Sequence, residues 1–471
     1  MEAELLNQFR FFDPNEKVRE IANELYSNVK DLPIISPHGH VDPKLLAINE
    51  SFPDPAELII IPDHYIFRML YSQGISLESL GVPTVDGTTV ETDHRKIWKI
   101  FAENFYLFAG TPTGAWLKHE LVEVFGINEK LNAKNADKIY DLISAKLKTK
   151  EFLPRTLFDK FKIEVLSTTD GASDSLEYHK IIKESGWEGR VIPCFRPDAA
   201  VNITGSSWKN EIDKLSQASK IDVVTYKSFI SAIENRREYF KSVGAVSTDQ
   251  GIVSPYTHQL SDKEAEDIFQ HALKGKATEE EATLFTANML MEMARMSVED
   301  GLVMQVHPGS MRNHNERIFK RFGLDKGADI PLQTEYTRNL HELLNKYGND
   351  NRLTLIVFTL DESNYARELA PLAGHYPAMK LGPSWWFHDS IEGMIRFRQN
   401  VTETAGVYNT VGFNDDTRAF LSIPARHDLS RRVDSNFLAG LTARHIIDFE
   451  EAKTLSYALA YGLVKKSYNL E

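Results

Sequence analysis

Eight short apolar runs that end in polar residues recur along the chain: "PIISPHGH", "KIEVLSTTD", "RVIPCFRPD", "VGAVSTDQG", "GLVMQVHPG", "RLTLIVFTLDE", "AMKLGPSWWF" and "YNTVGFNDDTR". Parallel strands buried on both faces read this way, because neither face alternates with solvent. Most of the intervals carry apolar residues at helical spacing, as in "SDSLEYHKIIKES", the stretch around residues 261 to 298, "TRNLHELLNKYG" and "SIEGMIRFRQNV". Eight strands alternating with helices predict an α/β protein, a (β/α)8 TIM barrel forming one catalytic unit over residues 1–471. A doubly wound open sheet also alternates, but no glycine-rich phosphate loop follows the first run.

The spacing of the runs is uneven. Residues 44–160, between the first and second, read as helical throughout, with "AELIIIPDHYIFRMLYSQG", "DHRKIWKIFAENFYLFAG" and "GAWLKHELVEVFG" as the clearest examples. This predicts a helical insert after the first strand, a subdomain over the barrel mouth. A second helical insert of about 50 residues is expected between the fourth and fifth runs. No internal repeat, low-complexity tract or Pro/Gly-rich linker divides the chain.

Composition narrows the function. A formal net charge of −13 argues against nucleic-acid or anionic-membrane partners, so an anionic ligand must be drawn by local arginines. The single cysteine, Cys194, excludes intrachain disulfides and Cys-rich zinc sites and fits a reducing compartment. The N-terminus is charged from its second residue and no apolar run reaches the ~18 residues needed to span a bilayer, so a cytoplasmic enzyme is expected.

In a barrel, the polar ends of the runs meet at one mouth. Residues i and i+2 of a strand share a face, so His38 and His40 in "ISPHGHVDP" could aim two imidazoles at one point, although Pro37 and Gly39 would equally make a strand-end turn. The last run ends in "NDDTR", next to the first in a closed barrel. Two imidazoles and a carboxylate from Asp415 or Asp416 would form a three-ligand metal site with open positions; either aspartate could instead cap a helix. Arg418 could fork onto a substrate carboxylate or pair with a nearby aspartate. His307, Asp249 and Arg196 follow the fifth, fourth and third runs and could be ligand or substrate contacts, or members of structural pairs. Trp385 and Trp386 could wall the pocket or pack in the core. His64 and Tyr65 lie in the insert, which could lower them into the site.

These residues carry a resemblance. The segments "PHGHVDP", "DHYIFRML", "STTD", "CFRPD", "HPGSMRNHN", "GPSWWFHDSIEGM" and "GFNDDTRAFLSIPARHD" resemble, in order and spacing and nearly end to end, the uronate isomerase family of the amidohydrolase superfamily. The His-x-His pair is shared by many metallohydrolases; the Trp-Trp pair and the Asp-Thr-Arg ending are the specific features. The resemblance implies interconversion of D-glucuronate with D-fructuronate and of D-galacturonate with D-tagaturonate, on a (β/α)8 barrel with a helical insert. It implies one divalent metal, usually zinc, on His38, His40 and Asp416, and no organic cofactor. Arg196, Asp249, His307 and Arg418, with His64, Tyr65 and Trp386, are implied as the substrate and catalytic shell. Relatives commonly carry Asp-His-Gly after strand four, where this chain has Asp249, Gln250 and Gly251.

The chemistry is consistent with that inventory. Aldose–ketose isomerisation moves a proton from C2 to C1 through an enediol and needs a base, an electrophile and a grip on the carboxylate. Asp416 is the first candidate for the base and Asp249 the second, with Tyr65 or His64 at the carbonyl. The fourth run offers no lysine that could bridge two metals, so one metal per site is expected, or a metal that is structural rather than the electrophile. A metal-dependent hydrolase of the same superfamily would use the histidines and Asp416 equally well but leaves the arginines idle. A homo-oligomer acting on a small sugar acid, without nucleic-acid or membrane partners, is expected.

Overall fold

The computed structural model describes residues 5–471. Seven strands lie parallel: Ile34–Ser36, Ile163–Ser167, Arg190–Ile192, Ser247–Ile252, Val303–Pro308, Leu355–Val357 and Met379–Leu381. The second and third continue after short breaks as Asp170–Gly171 and Phe195–Arg196, which pair with each other; Phe195 then pairs with Thr248 of the fourth. The eighth run joins through a parallel bridge between Leu381 and Thr410, and the ring closes where the His40 amide donates to the Thr417 carbonyl at 2.8 Å. The order of pairing is therefore that of a (β/α)8 barrel.

Neighbouring strand residues divide between inside and outside. Ile35, Val165, Ile192, Val303, Ile356 and Val411 pack together with Val464, Tyr468 and Leu470 from the chain's end. Met304, Val306, Leu355, Val357, Met379 and Leu381 pack instead against the surrounding helices. Within the barrel, the Tyr468 hydroxyl donates to Gln305 Oε1 at 2.7 Å, so the plug brings its polar tip to a partner.

Residues 43–160 hold helices and no strand, from Pro43–Ile48 to Pro154–Lys160. Most of their buried apolar side chains share one cluster with Ile34 of the first strand and Ile163 and Leu166 of the second, while Tyr65 and Trp116 pack against Phe413, Ala425 and Leu429. The second expected insert is different. The helix Glu279–Asp300, opened by a Thr278/Glu281 capping box, buries Met289, Met293 and Met296 in the same cluster as Met304 and Val306, so it is one of the barrel's own covering helices. No helix among the described residues is long and apolar enough to cross a membrane.

Candidate active site

His38 and His40 lie beyond the first strand, which ends at Ser36, so a turn and not strand alternation brings them together. Their rings stand edge to face, 5.3 Å apart. From the eighth segment, Asp416 takes a left-handed backbone (φ +40°) and brings Oδ1 to 3.1 Å from His40 Nε2 and 3.4 Å from His38 Nε2. His307, at the end of the fifth strand, stacks its ring on that of His38 at 4.7 Å.

One donor atom from each of His38, His307 and Asp416 falls within 4.8 Å of the others. His307, expected as a substrate contact, thus joins the donor cluster, while His40 reaches it through Asp416. The donors fit a divalent cation on a further ground: His307 Nε2 and Asp416 Oδ1 are buried without a hydrogen-bond partner.

Asp249, read as a candidate base, is fully buried. Its Oδ1 faces His307 Nδ1 at 2.6 Å and its Oδ2 takes the Arg196 guanidinium, so both oxygens are engaged behind the cavity wall. An ionised carboxylate only accepts, so Nδ1 of His307 carries the proton and Nε2 presents its lone pair to the donor cluster.

The electrostatics follow from this geometry. Burial raises the Asp249 carboxyl, but Arg196, then His307 and His38, hold it well below the usual range. Burial would deprotonate His38, yet Asp249 and Asp416 raise its pKa well above the ordinary value. Two buried carboxylates thus draw positive charge into the site, a demand that a cation meets as well as a proton does. Burial leaves His40 neutral, at about 4.

The cavity above these donors measures about 720 Å³ with its open mouth. His64 and Tyr65 line it from the insert, where Asp63 caps the helix His64–Ser72 and accepts from the Tyr65 amide at 2.8 Å. Burial, then Arg418, lowers His64 to about 3; burial raises the Tyr65 hydroxyl, which Arg426 partly opposes. Trp386 lines the cavity with a left-handed backbone (φ +51°), its ring 6.0 Å from that of His64, and Trp385 packs edge-on to His307 at 4.7 Å.

Arg196 and Arg418 both reach the cavity, Arg418 holding Asp325 at 2.9 Å. Asp415 is no helix cap: its Oδ2 meets His427 Nε2 at 3.0 Å, and the next helical segment is the 3-10 turn Phe420–Ser422, capped by Ala419, which leads into the helix Ile423–Ala443. Sequence reasoning missed several lining residues, charged ones among them. Arg312 and Asp325 come from the loop after strand five; Asp63 came unremarked beside the cited His64; Arg426 hides in the helix Ile423–Ala443. That helix buries Arg426, His427, Arg431, Arg432 and Asp434, and such a run of charge on a covered helix was the available signal.

A closed parallel barrel with a candidate metal site of histidines and a carboxylate converging at its mouth defines a (β/α)8 enzyme. The particular family follows from comparison. The glucuronate isomerase family model matches residues 11–464. The uronate isomerase of Nostoc punctiforme is 55% identical over 468 residues, covering 99% of both chains. The crystal structure of glucuronate isomerase from Caulobacter crescentus superposes with a TM-score of 0.98 at 54% identity, covering 100% of this chain and 98% of that one. That of uronate isomerase from Thermotoga maritima gives 0.92 at 28% identity, covering 98% and 99%. The chain belongs to the glucuronate isomerase family.

Proposed function

We propose that the protein interconverts D-glucuronate and D-fructuronate, and D-galacturonate and D-tagaturonate, by proton transfer between C2 and C1. Family membership over nearly the whole chain supports the reaction, and the juxtaposition of the His38/His307/Asp416 donors with arginines in one cavity is the observation that carries it. A divalent cation, zinc first among candidates, would be held by His38, His307 and Asp416 with His40 beside them, and would supply Lewis acidity toward a substrate oxygen.

The chain's own groups account for the remaining requirements. Arg418 and Arg312, each carrying a carboxylate partner (Asp325 and Asp329, both at 2.9 Å), are held in place before substrate arrives and have further N–H groups for the uronate carboxylate. Arg196 adds positive charge beside the donors. Asp416 is the base that moves the proton between C2 and C1. Tyr65 keeps its proton at neutral pH and donates a hydrogen bond to the carbonyl end, with neutral His64 stacked on its ring at 4.6 Å. Asp249 positions His307 and Arg196. Trp386 walls the pocket, and the helical insert of residues 44–160 acts as the lid that brings His64 and Tyr65 down.

The hydrolase alternative is not favoured, since a neutral ester or amide has no use for this set of guanidinium groups. The enzyme works in the cytoplasm, to which its buried free cysteine is suited, and as a homo-oligomer. The test is to incubate purified protein with D-glucuronate and, separately, with D-galacturonate and follow the mixture by NMR. Appearance of the ketouronate to a constant ratio supports the proposal; an unchanged aldose spectrum from metal-replete protein refutes it.

A further inference from the structure

Arg426 belongs to none of the groups assigned above, yet it meets three walls of the cavity. Its side chain is 2% exposed. Nη1 donates to Asp389 Oδ2 at 2.7 Å, on the loop that follows Trp386, and to the Asp415 carbonyl at 3.1 Å, the peptide bond that leads into Asp416. Nε donates to Ser422 Oγ at 3.2 Å. The flat face of the guanidinium lies over Trp116 of the insert at 3.7 Å from the ring centre and 5.1 Å from that of Tyr65. Trp116 and Tyr65 meet edge to face at 5.6 Å and 90°.

This is an expensive residue to bury. A desolvated guanidinium costs several kcal/mol unless it is paired and its donors are met. Here one carboxylate and two oxygens meet Nε and Nη1, and no protein hydrogen bond is made by Nη2 among the described residues. An aliphatic side chain on this helix would fill the space at lower cost. The planar, five-donor group achieves what an apolar one cannot: it stacks on two aromatic rings from the insert while its edge fixes the backbone of the Asp415–Asp416 turn.

We infer that Arg426 is a positioning residue for the isomerisation, tying the Tyr65 ring in the insert to the Asp416 turn so that the two groups face one substrate together. The inference rests on the roles proposed above for Tyr65 and Asp416. The consequence is specific. Loosening the clamp displaces the hydroxyl of Tyr65 relative to Asp416 while leaving the arginines at the cavity's other wall, and a displacement of this kind costs about a hundredfold in rate when it reaches an ångström.

The test is a double-mutant cycle in the full-length, metal-replete enzyme. It uses Arg426→Lys, Tyr65→Phe and the pair together, with kcat and KM for D-glucuronate and metal content measured on each. Lysine retains the charge but cannot stack flat or fork. The expected result is a fall in kcat of about ten- to a hundredfold for Arg426→Lys at nearly unchanged KM and metal content, and a double variant no slower than Tyr65→Phe alone. Multiplicative losses in the double variant would overturn the inference, as would wild-type kcat in Arg426→Lys. If Tyr65→Phe itself turns over at the wild-type rate, the proposed role of Tyr65 falls and the inference falls with it, a result distinguishable from the first two. Asp389→Asn, which loosens the same clamp without altering Arg426, serves where Arg426→Lys fails to fold, and the same non-additivity with Tyr65→Phe is expected.

Discussion

Replacing Asp249 with asparagine keeps the side chain's shape and removes its charge, which separates its two tasks. The first task is to neutralise Arg196. Truncating one partner of a buried ion pair costs about 3–5 kcal/mol; Arg196 keeps 27% of its side chain exposed, so the lower end, about 3 kcal/mol, is expected. The second task is to hold the proton on His307 Nδ1. A carboxylate oxygen 2.6 Å away leaves the ring no choice of tautomer, whereas an amide can turn its NH2 toward Nδ1 and drive the proton to Nε2, where it blocks metal binding. Loss of such a supporting carboxylate weakens metal binding by about 10- to 100-fold. The assay is competition for Zn2+ against a chromophoric chelator, run on apo wild type and Asp249→Asn, with the thermal unfolding midpoint recorded at one scan rate. Weaker metal binding together with a lower midpoint is expected. Unchanged affinity would refute the argument that Asp249 fixes the His307 tautomer.

Three further results are expected. Arg418→Lys, which loses the fork geometry but keeps the charge, raises KM for D-glucuronate by about tenfold or more with a smaller effect on kcat, read from initial rates; an unchanged KM would remove Arg418 from the carboxylate grip. His179 is buried and lowered from 6.5 to about 4, chiefly by desolvation, so its neutral form contributes stability that is present above pH ~6.5 and is lost as pH falls toward 4. His179→Gln should therefore show a shallower loss of denaturation midpoint between pH 6.5 and 4 than wild type, and parallel curves would contradict the assignment. Chelation of bound metal should lower the wild-type thermal midpoint, because removing the cation leaves the buried His307 Nε2 and Asp416 Oδ1 without the partner it supplied; readdition of Zn2+ should restore it.

The barrel was legible because parallel strands buried on two faces leave apolar runs that no amphipathic helix imitates. Its edges were less so. "VGAVSTDQG" reads as one strand, but Val243 ends the helix Tyr226–Val243, Gly244 terminates it at φ +117°, and the strand begins only at Ser247. The first strand is three residues long, so the histidines thought to share a strand face converge through a turn. Residues at the ends of runs, such as His38, Arg196, His307 and Asp416, were legible as site candidates because barrel topology brings strand ends together whatever their separation in sequence. Arg312 and Asp325 were not, since a small hairpin, Ser310–Met311 with Ile330–Pro331, folds the loop after strand five over the mouth and no periodicity announces it. Neither was the engagement of both Asp249 oxygens, which depends on two side chains 53 and 58 residues away.

The most direct measurement is a coupled assay of D-glucuronate and D-galacturonate on wild type and Asp416→Asn side by side, with folding checked by circular dichroism and metal content determined on both. If the barrel mouth carries out the isomerisation, wild type forms ketouronate and a folded Asp416→Asn loses at least about a hundredfold in kcat. Ketouronate formation by a folded Asp416→Asn at the wild-type rate would contradict the account and move the chemistry away from this site.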